Sequence, residues 1–144
     1  MIEDELEIGA RNLMLCRRVM FDAAHRESPY TLHNLLSTVR AVDPEAIKST
    51  LPIYAYVEYF GPAGEYEVWI DVVFLGYDEM VDDEETEVAT YGPFDVRLAE
   101  GRFVQGRSYS LRHIPLFRAG IYGFQLKAAG VFEPLISQRL LVEE

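Results

Sequence analysis

Apolar residues recur at every second position in short runs bounded by Gly, Pro, Asp and Asn, the period of half-buried β-strands, and helical periodicity is weak throughout. The clearest stretch runs from Pro52 to Leu75. In PIYAYVEYF, Ile53, Ala55, Val57 and Tyr59 share one face, and Tyr54, Tyr56, Glu58 and Phe60 share the other. After Gly61-Pro62-Ala63-Gly64, EYEVWIDVVFL sets Tyr66, Val68, Ile70, Val72 and Phe74 against Glu67, Trp69, Asp71, Val73 and Leu75. Two β-rich runs joined by a short Gly/Pro turn predict an antiparallel hairpin.

Upstream, Asn12 to Phe21 alternates Leu13, Leu15, Val19 and Phe21 against Met14, Cys16, Arg18 and Met20. Arg17 interrupts the first face, so the run reads as an outer strand with a twist or bulge. In Tyr30 to Ala41, Leu32, Leu35, Leu36 and Val39 show helical spacing. Thr31, Thr38, Val39 and the preceding Pro29 favour extended chain, and a strand is the expectation. Asp43 to Ser49 reads as a helical turn, with Pro44 following an Asp that can cap it. Downstream, Glu87 to Leu98 is a strand broken at Gly92-Pro93, which suits a sheet edge because proline donates nothing to a ladder. Arg107 to Phe117, Ile121 to Ala128 and Leu135 to Val142 complete the set.

Strands at this spacing predict an all-β fold: one antiparallel two-layer β-sandwich of seven or eight strands spanning 11–144, after an acidic segment over 1–10. In RAGIYGFQL a turn glycine precedes Tyr122 at the start of a late strand, as in the tyrosine corner of immunoglobulin-like sandwiches. The competing reading is an ordinary core tyrosine, and both make Tyr122 structural. The succession LMLCRRVMFD, YTLHNLLSTVRA, LPIYAYVEYFGPAGEYEVWIDVV and LFRAGIYGFQL resembles a family of small, uncharacterised bacterial β-sandwich proteins. In that family an N-terminal strand and a Pro-led hairpin precede a G-x-Y-x-F strand. The resemblance implies an immunoglobulin-like fold and a bacterial cytosolic setting, with no reaction attached.

Composition narrows the classes. With 144 residues, 49% of them hydrophobic, the chain can bury a real core. No apolar run approaches the ~20 residues of a membrane-spanning helix. The opening MIEDELEIGARN is acidic where a secretory signal places Lys or Arg, and Cys16 has no second cysteine to pair with. A cytoplasmic setting is expected. A net charge of −11 argues against nucleic acid or an anionic membrane as the partner, because polyanions are bound by Lys/Arg clusters.

Charge is also unevenly spread. No basic residue occurs between Lys48 and Arg97, whereas Arg97, Arg102, Arg107, Arg112, Arg118, Lys127 and Arg139 follow. Eleven of the thirteen basic residues are arginine, the type favoured for bidentate carboxylate pairing and at interfaces. The basic third therefore either neutralises the acidic middle within one molecule or meets an acidic surface on another.

Candidate chemistry is sparse. The acidic segment Asp78 to Glu87 reads as a solvated loop, and its alternative is a calcium site through Asp82, Asp83 and Glu85, although EF-hand spacing is absent. His25, His33 and His113 show no zinc spacing. Cys16 lies in an apolar strand, where a buried inert thiol is the common outcome. No glycine-rich phosphate loop opens a helix, and no cofactor is expected. Tyr54, Tyr56, Phe60 and Trp69 fall on the two runs of the expected hairpin, with Glu58, Glu67 and Asp71 interleaved, as on a half-exposed sheet that stacks a sugar or anchors a protein partner; the competing reading is that Trp69 closes one edge of the core.

The resulting expectation is a non-catalytic binding or assembly module that docks a protein partner, or a second copy of itself, through Tyr54, Tyr56, Trp69, Arg112 and Arg118. The alternatives are a small-ligand or carbohydrate binder assisted by calcium at Asp82, Asp83 and Glu85, and an enzyme using Cys16 or a histidine.

Overall fold

A computed structural model of the chain describes residues 7–24, 29–77, 80–100 and 104–144, with the side chains of residues 80–84 outside the description. The strands are β1 (Gly9–Phe21), β2 (Tyr30–Leu35), β3 (Thr38–Arg40), β4 (Ile53–Phe60), β5 (Gly64–Tyr77), β6 (Met80–Leu98), β7 (Gln105–Leu111), β8 (Gly120–Ala128) and β9 (Ile136–Glu143), with a 3₁₀ helix at Pro44–Ser49. They form two packed sheets, β2-β1-β4-β7 (sheet A) and β3-β9-β8-β5-β6 (sheet B). Their inner faces meet in one apolar cluster, to which β4 gives Ala55, Val57 and Tyr59, and β5 gives Val68, Ile70 and Val72. No helix among the described residues is long and apolar enough to cross a membrane.

Several expectations change. Nine strands form among the described residues, because the 30–41 run divides. The Leu36 N–H still donates to Leu15 O in sheet A, and Ser37 O accepts from the Leu141 N–H in sheet B, so the chain changes sheet between these two residues. The sandwich is not wholly antiparallel either. β3 arrives beside the last strand running in its direction, and β3 and β9 pair in parallel.

The expected β4–β5 hairpin does not exist, since its two strands belong to different sheets. Residues 61–63 form an arch over the end of the sandwich. Period-two alternation is identical in both arrangements, but in an arch the two apolar faces oppose each other across the core. Gly61 permits the crossing: its φ is +140°, and a Cβ there would stand 3.1 Å from Glu7 O and Ile8 Cα.

β1 is paired on both sides, so it is not an outer strand. Its expected irregularity is real but sits earlier, where the β4 register shifts between Arg11 and Met14 and Asn12 takes φ 56°. Ile8, ahead of β1, is already buried in the core. β6 is an edge strand as its proline suggests, and it begins at Met80, so strand rather than loop runs through much of the acidic segment. The helical turn forms as read, with Asp43 Oδ1 accepting from the Glu45 N–H at 3.0 Å and Pro in its first turn.

Candidate functional site

Tyrosine hydroxyls tie separate parts of the sandwich together. The Tyr59 and Tyr109 hydroxyls share a 2.9 Å hydrogen bond inside the core, and burial raises both above the ordinary tyrosine value. Tyr91 on β6 donates to Arg112 O, joining the two sheets at one edge, and burial pushes its hydroxyl up to about 12. At the turn before β8, the Tyr122 hydroxyl donates to Arg118 O at 2.9 Å, four residues upstream.

One end of the sandwich is open. A cleft of about 370 Å³ lies between β1, the stretch from β3 into the 3₁₀ helix, and the segment after β7. Its floor is apolar, formed by Val39, Ile53, Ile114 and Leu116. Local hydrogen bonds hold these walls in place. Val42 N–H donates to Leu116 O and Leu116 N–H to Ile114 O, while Thr50 closes the helix through its hydroxyl on Ile47 O. Leu51 forms the lip and is 72% exposed.

Arg17 brings charge to this apolar space, and the exposed Arg40 is also among its lining residues. Arg17 shares the strand parity of the core residues Leu13 and Leu15, but it lies past the last β1–β4 rung, Cys16 with Tyr54, where the core ends. Half-buried, its Nη1 reaches the carbonyls of Leu51 and Pro52 at 3.4 Å each. The ion pairs among the described residues join Arg11 to Glu58 and Lys127 to Asp71, so neither Arg17 nor Arg40 meets a carboxylate there. Asp43 also lines the cleft, with its carboxylate engaged in capping the helix.

The residues singled out from sequence do not converge. Tyr54 and Tyr56 lie on the outer face of sheet A, between the inward-facing Ile53, Ala55 and Val57. Trp69 lies between the buried Val68 and Ile70 on the outer face of sheet B, so no common aromatic surface exists. Tyr56 is itself buried, with Tyr30 packed at 5.0 Å and its hydroxyl donating to Glu58 Oε2. Burial first, then the Glu58 hydrogen bond, raises that hydroxyl above the ordinary range. Arg118 lies over the Phe74 ring at 3.9 Å, a cation–π contact within the molecule. Arg112 is exposed, and its carbonyl anchors Tyr91.

The suggested metal ligands give no cluster that can be described. Glu85 accepts a hydrogen bond from Gln125 Nε2, and the side chains of Asp82 and Asp83 lie outside the described residues. Among the described residues no group of three or more His, Cys, Asp or Glu side chains is placed to hold a metal ion. Cys16 is fully buried, with its thiol 3.7 Å from Tyr54 O. Burial raises the thiol above its ordinary value against a weaker opposing hydrogen bond from the Arg18 backbone, which suits an inert sulfhydryl. His25 lies outside the described residues, and His113 is exposed after β7. The cleft itself was missed. Its one sequence signal was Arg17, a charge on an otherwise apolar strand face.

No protein-family model matches the chain, and no curated protein matches it. Solved structures are similar to it at low identity. A β-D-glucoside glucohydrolase from Trichoderma reesei aligns at 10% identity and a TM-score of 0.49, over 94% of this chain and 19% of that one. The alkylpurine DNA glycosylase AlkC of Pseudomonas fluorescens, solved bound to DNA containing an abasic site analog, aligns at 12% identity and a TM-score of 0.46, over 96% and 31%. The chain spans less than a third of the length of either.

Proposed function

We propose that this chain is a non-catalytic, immunoglobulin-like binding module of the cytoplasm, and that it holds a protein partner in the end cleft. The carrying observation is the cleft's chemistry: an apolar floor bordered by the Arg17 guanidinium, which no carboxylate of the described chain neutralises, with Arg40 also in the lining. A concave apolar site with a few polar groups at its edge is the common form of a binding site, and a volume near 370 Å³ suits a few side chains. The Tyr122 hydrogen bond to Arg118 O has the form of a tyrosine corner and supports the immunoglobulin-like reading. The buried Cys16 thiol, with its raised pKa, supports a non-catalytic role. The net charge of −11 disfavours nucleic acid.

The test is an amide chemical-shift titration of the isotope-labelled full chain with a degenerate decapeptide pool, with a set of mono- and disaccharides, and with calcium chloride. Shifts on adding peptides that centre on Ala41, Ala46 and Leu51 are expected. A response confined to the sugars or to calcium, or no response to any of the three, overturns the proposal.

A further inference from the structure

The outer edge of β3, which runs into the cleft at Arg40, carries unpaired backbone groups. In the β3–β9 ladder the Leu141 N–H donates to Ser37 O, and the Ala41 N–H donates to Glu143 O. Parallel pairing alternates the direction of successive residues, so Ser37, Val39 and Ala41 face β9, and the N–H and C=O groups of Thr38 and Arg40 point away from it. β3 is the last strand of sheet B on that side, and no backbone group among the described residues pairs with Thr38 or Arg40 there. Just beyond, Val42 turns its N–H the same way and is met by Leu116 O. The vacant stretch of edge thus ends against the cleft wall, beside an apolar floor.

Charge defines what fits. The chain has 24 acidic residues, yet Arg17 and Arg40, which line this cleft, meet none of the described carboxylates. Arg17 is half-buried with only long contacts to two carbonyls, so much of its donor capacity is unused. A guanidinium pairs best with a planar carboxylate in a fork of two hydrogen bonds. An extended peptide supplies the backbone groups for a free strand edge, and its terminal carboxylate supplies the anion.

We infer that the cleft takes the free C-terminus of a partner protein. Its last residues add as a strand to the outer edge of β3, an apolar terminal side chain passes the Leu51 lip onto the floor at Ile114, and the α-carboxylate meets Arg17 and Arg40. This rests on the reading of the cleft as the binding site and adds the chemical identity of the occupant.

The experiment compares two decapeptide pools of random sequence ending in Leu, Ile or Val, one with a free C-terminus and one amidated, titrated into the labelled full chain. The free-carboxylate pool is expected to bind at least about tenfold more tightly. R17Q and R40Q, each checked for an unchanged melting temperature, are expected to remove that preference while leaving the weak binding of the amidated pool. Equal binding of both pools at the cleft overturns the C-terminal assignment and leaves the cleft as a peptide site. A preference that survives in R17Q/R40Q overturns the role of the guanidinium groups. If octanoate binds as tightly as the free-carboxylate pool, the occupant is a small amphiphile and the peptide assignment falls. If neither pool nor octanoate shifts the cleft amides, the inference and the reading beneath it fall together.

Discussion

The Tyr30 hydroxyl donates to the carbonyl of Gly106 at 2.9 Å, although the two residues belong to strands at opposite edges of sheet A. Three strand spacings, about 14 Å, separate β2 from β7 in a flat sheet, more than a tyrosine side chain spans. The end of the β1–β2 hairpin must therefore leave the sheet plane and lie over its outer face, where Tyr30 packs between Phe21 and Tyr56. Gly106 makes room for it, since a Cβ there would fall 2.6 Å from Tyr56 Oη and 2.9 Å from the Tyr30 ring. Y30F is expected to cost about 1 kcal/mol through the lost hydrogen bond. G106A, which crowds two rings, is expected to cost about 1–3 kcal/mol. In native-state hydrogen exchange both variants should lose protection at residues 19–21 and 30–32 while β8 keeps its own. A uniform loss across both sheets would show that the hairpin end is not a separable unit.

The turn into β8 rests on two residues of different kinds. Tyr122 contributes a buried hydrogen bond to Arg118 O, and Y122F is expected to destabilise by about 1–2 kcal/mol in urea titration. Gly120 contributes space and conformation. Its φ is +143°, and a Cβ would stand 2.6 Å from the Phe74 ring and 2.7 Å from the Gly76 carbonyl oxygen. A backbone oxygen cannot rotate aside as a side chain can, so G120A is expected to cost about 2–4 kcal/mol and to exceed Y122F. The reverse order would mean that the turn relaxes around a methyl group.

These contacts show where sequence reading works and where it stops. Alternation marked the faces of β4 and β5 correctly, because burial on one side of a pleated strand leaves a period-two trace whatever its neighbour. It could not say which strand is the neighbour, so the arch at Gly61 read as a hairpin and set Tyr54 and Trp69 on one imagined surface. The acidic residues before Val88 read as loop because charge on an edge strand resembles a solvated turn. Tyr30 bears no local mark of its reach to Gly106, a contact 76 residues away in sequence. The cleft is built from an irregular segment, a short helix and the ends of β1, β3 and β4, where the periodic signal runs out. Arg17 alone announced it, and the interruption it causes was equally well explained by a bulge.

On the outer face of sheet B, Asp71 is nearly buried and bound by Lys127 Nζ at 2.8 Å and by the Thr90 hydroxyl at 2.8 Å. Removing the cation leaves a carboxylate with little water and one neutral donor. Because the Lys127 side chain is 33% exposed, K127A is expected to cost about 1–3 kcal/mol, below the full penalty of a completely buried pair. Replacing the acid as well should recover part of the loss, so D71N/K127A is expected to be more stable than the sum of its single variants predicts. Strict additivity in urea unfolding would show that the two charges do not act as a pair.

Glu58 carries the sharpest pH dependence that the geometry supports. Burial by itself raises its carboxyl, but hydrogen bonds from Asn12, Arg11 and Tyr56, with the Arg11 charge, outweigh burial and hold it below the ordinary value. These bonds are 2.7, 3.0 and 3.0 Å long, and they tie the bulge of β1 to β4. The unfolded chain titrates this group near ~4.3, so a carboxyl lowered by folding adds stability that is complete above that pH. The contribution is lost as pH falls through the lower folded value. E58Q is expected to cost about 1–3 kcal/mol at pH 7, since its amide sets a donor against the Arg11 and Asn12 donors. The gap between E58Q and the parent chain in urea unfolding should then narrow from pH 5 to pH 3. A gap that stays constant over this range would assign the cost of E58Q to altered packing, with the carboxylate charge contributing nothing.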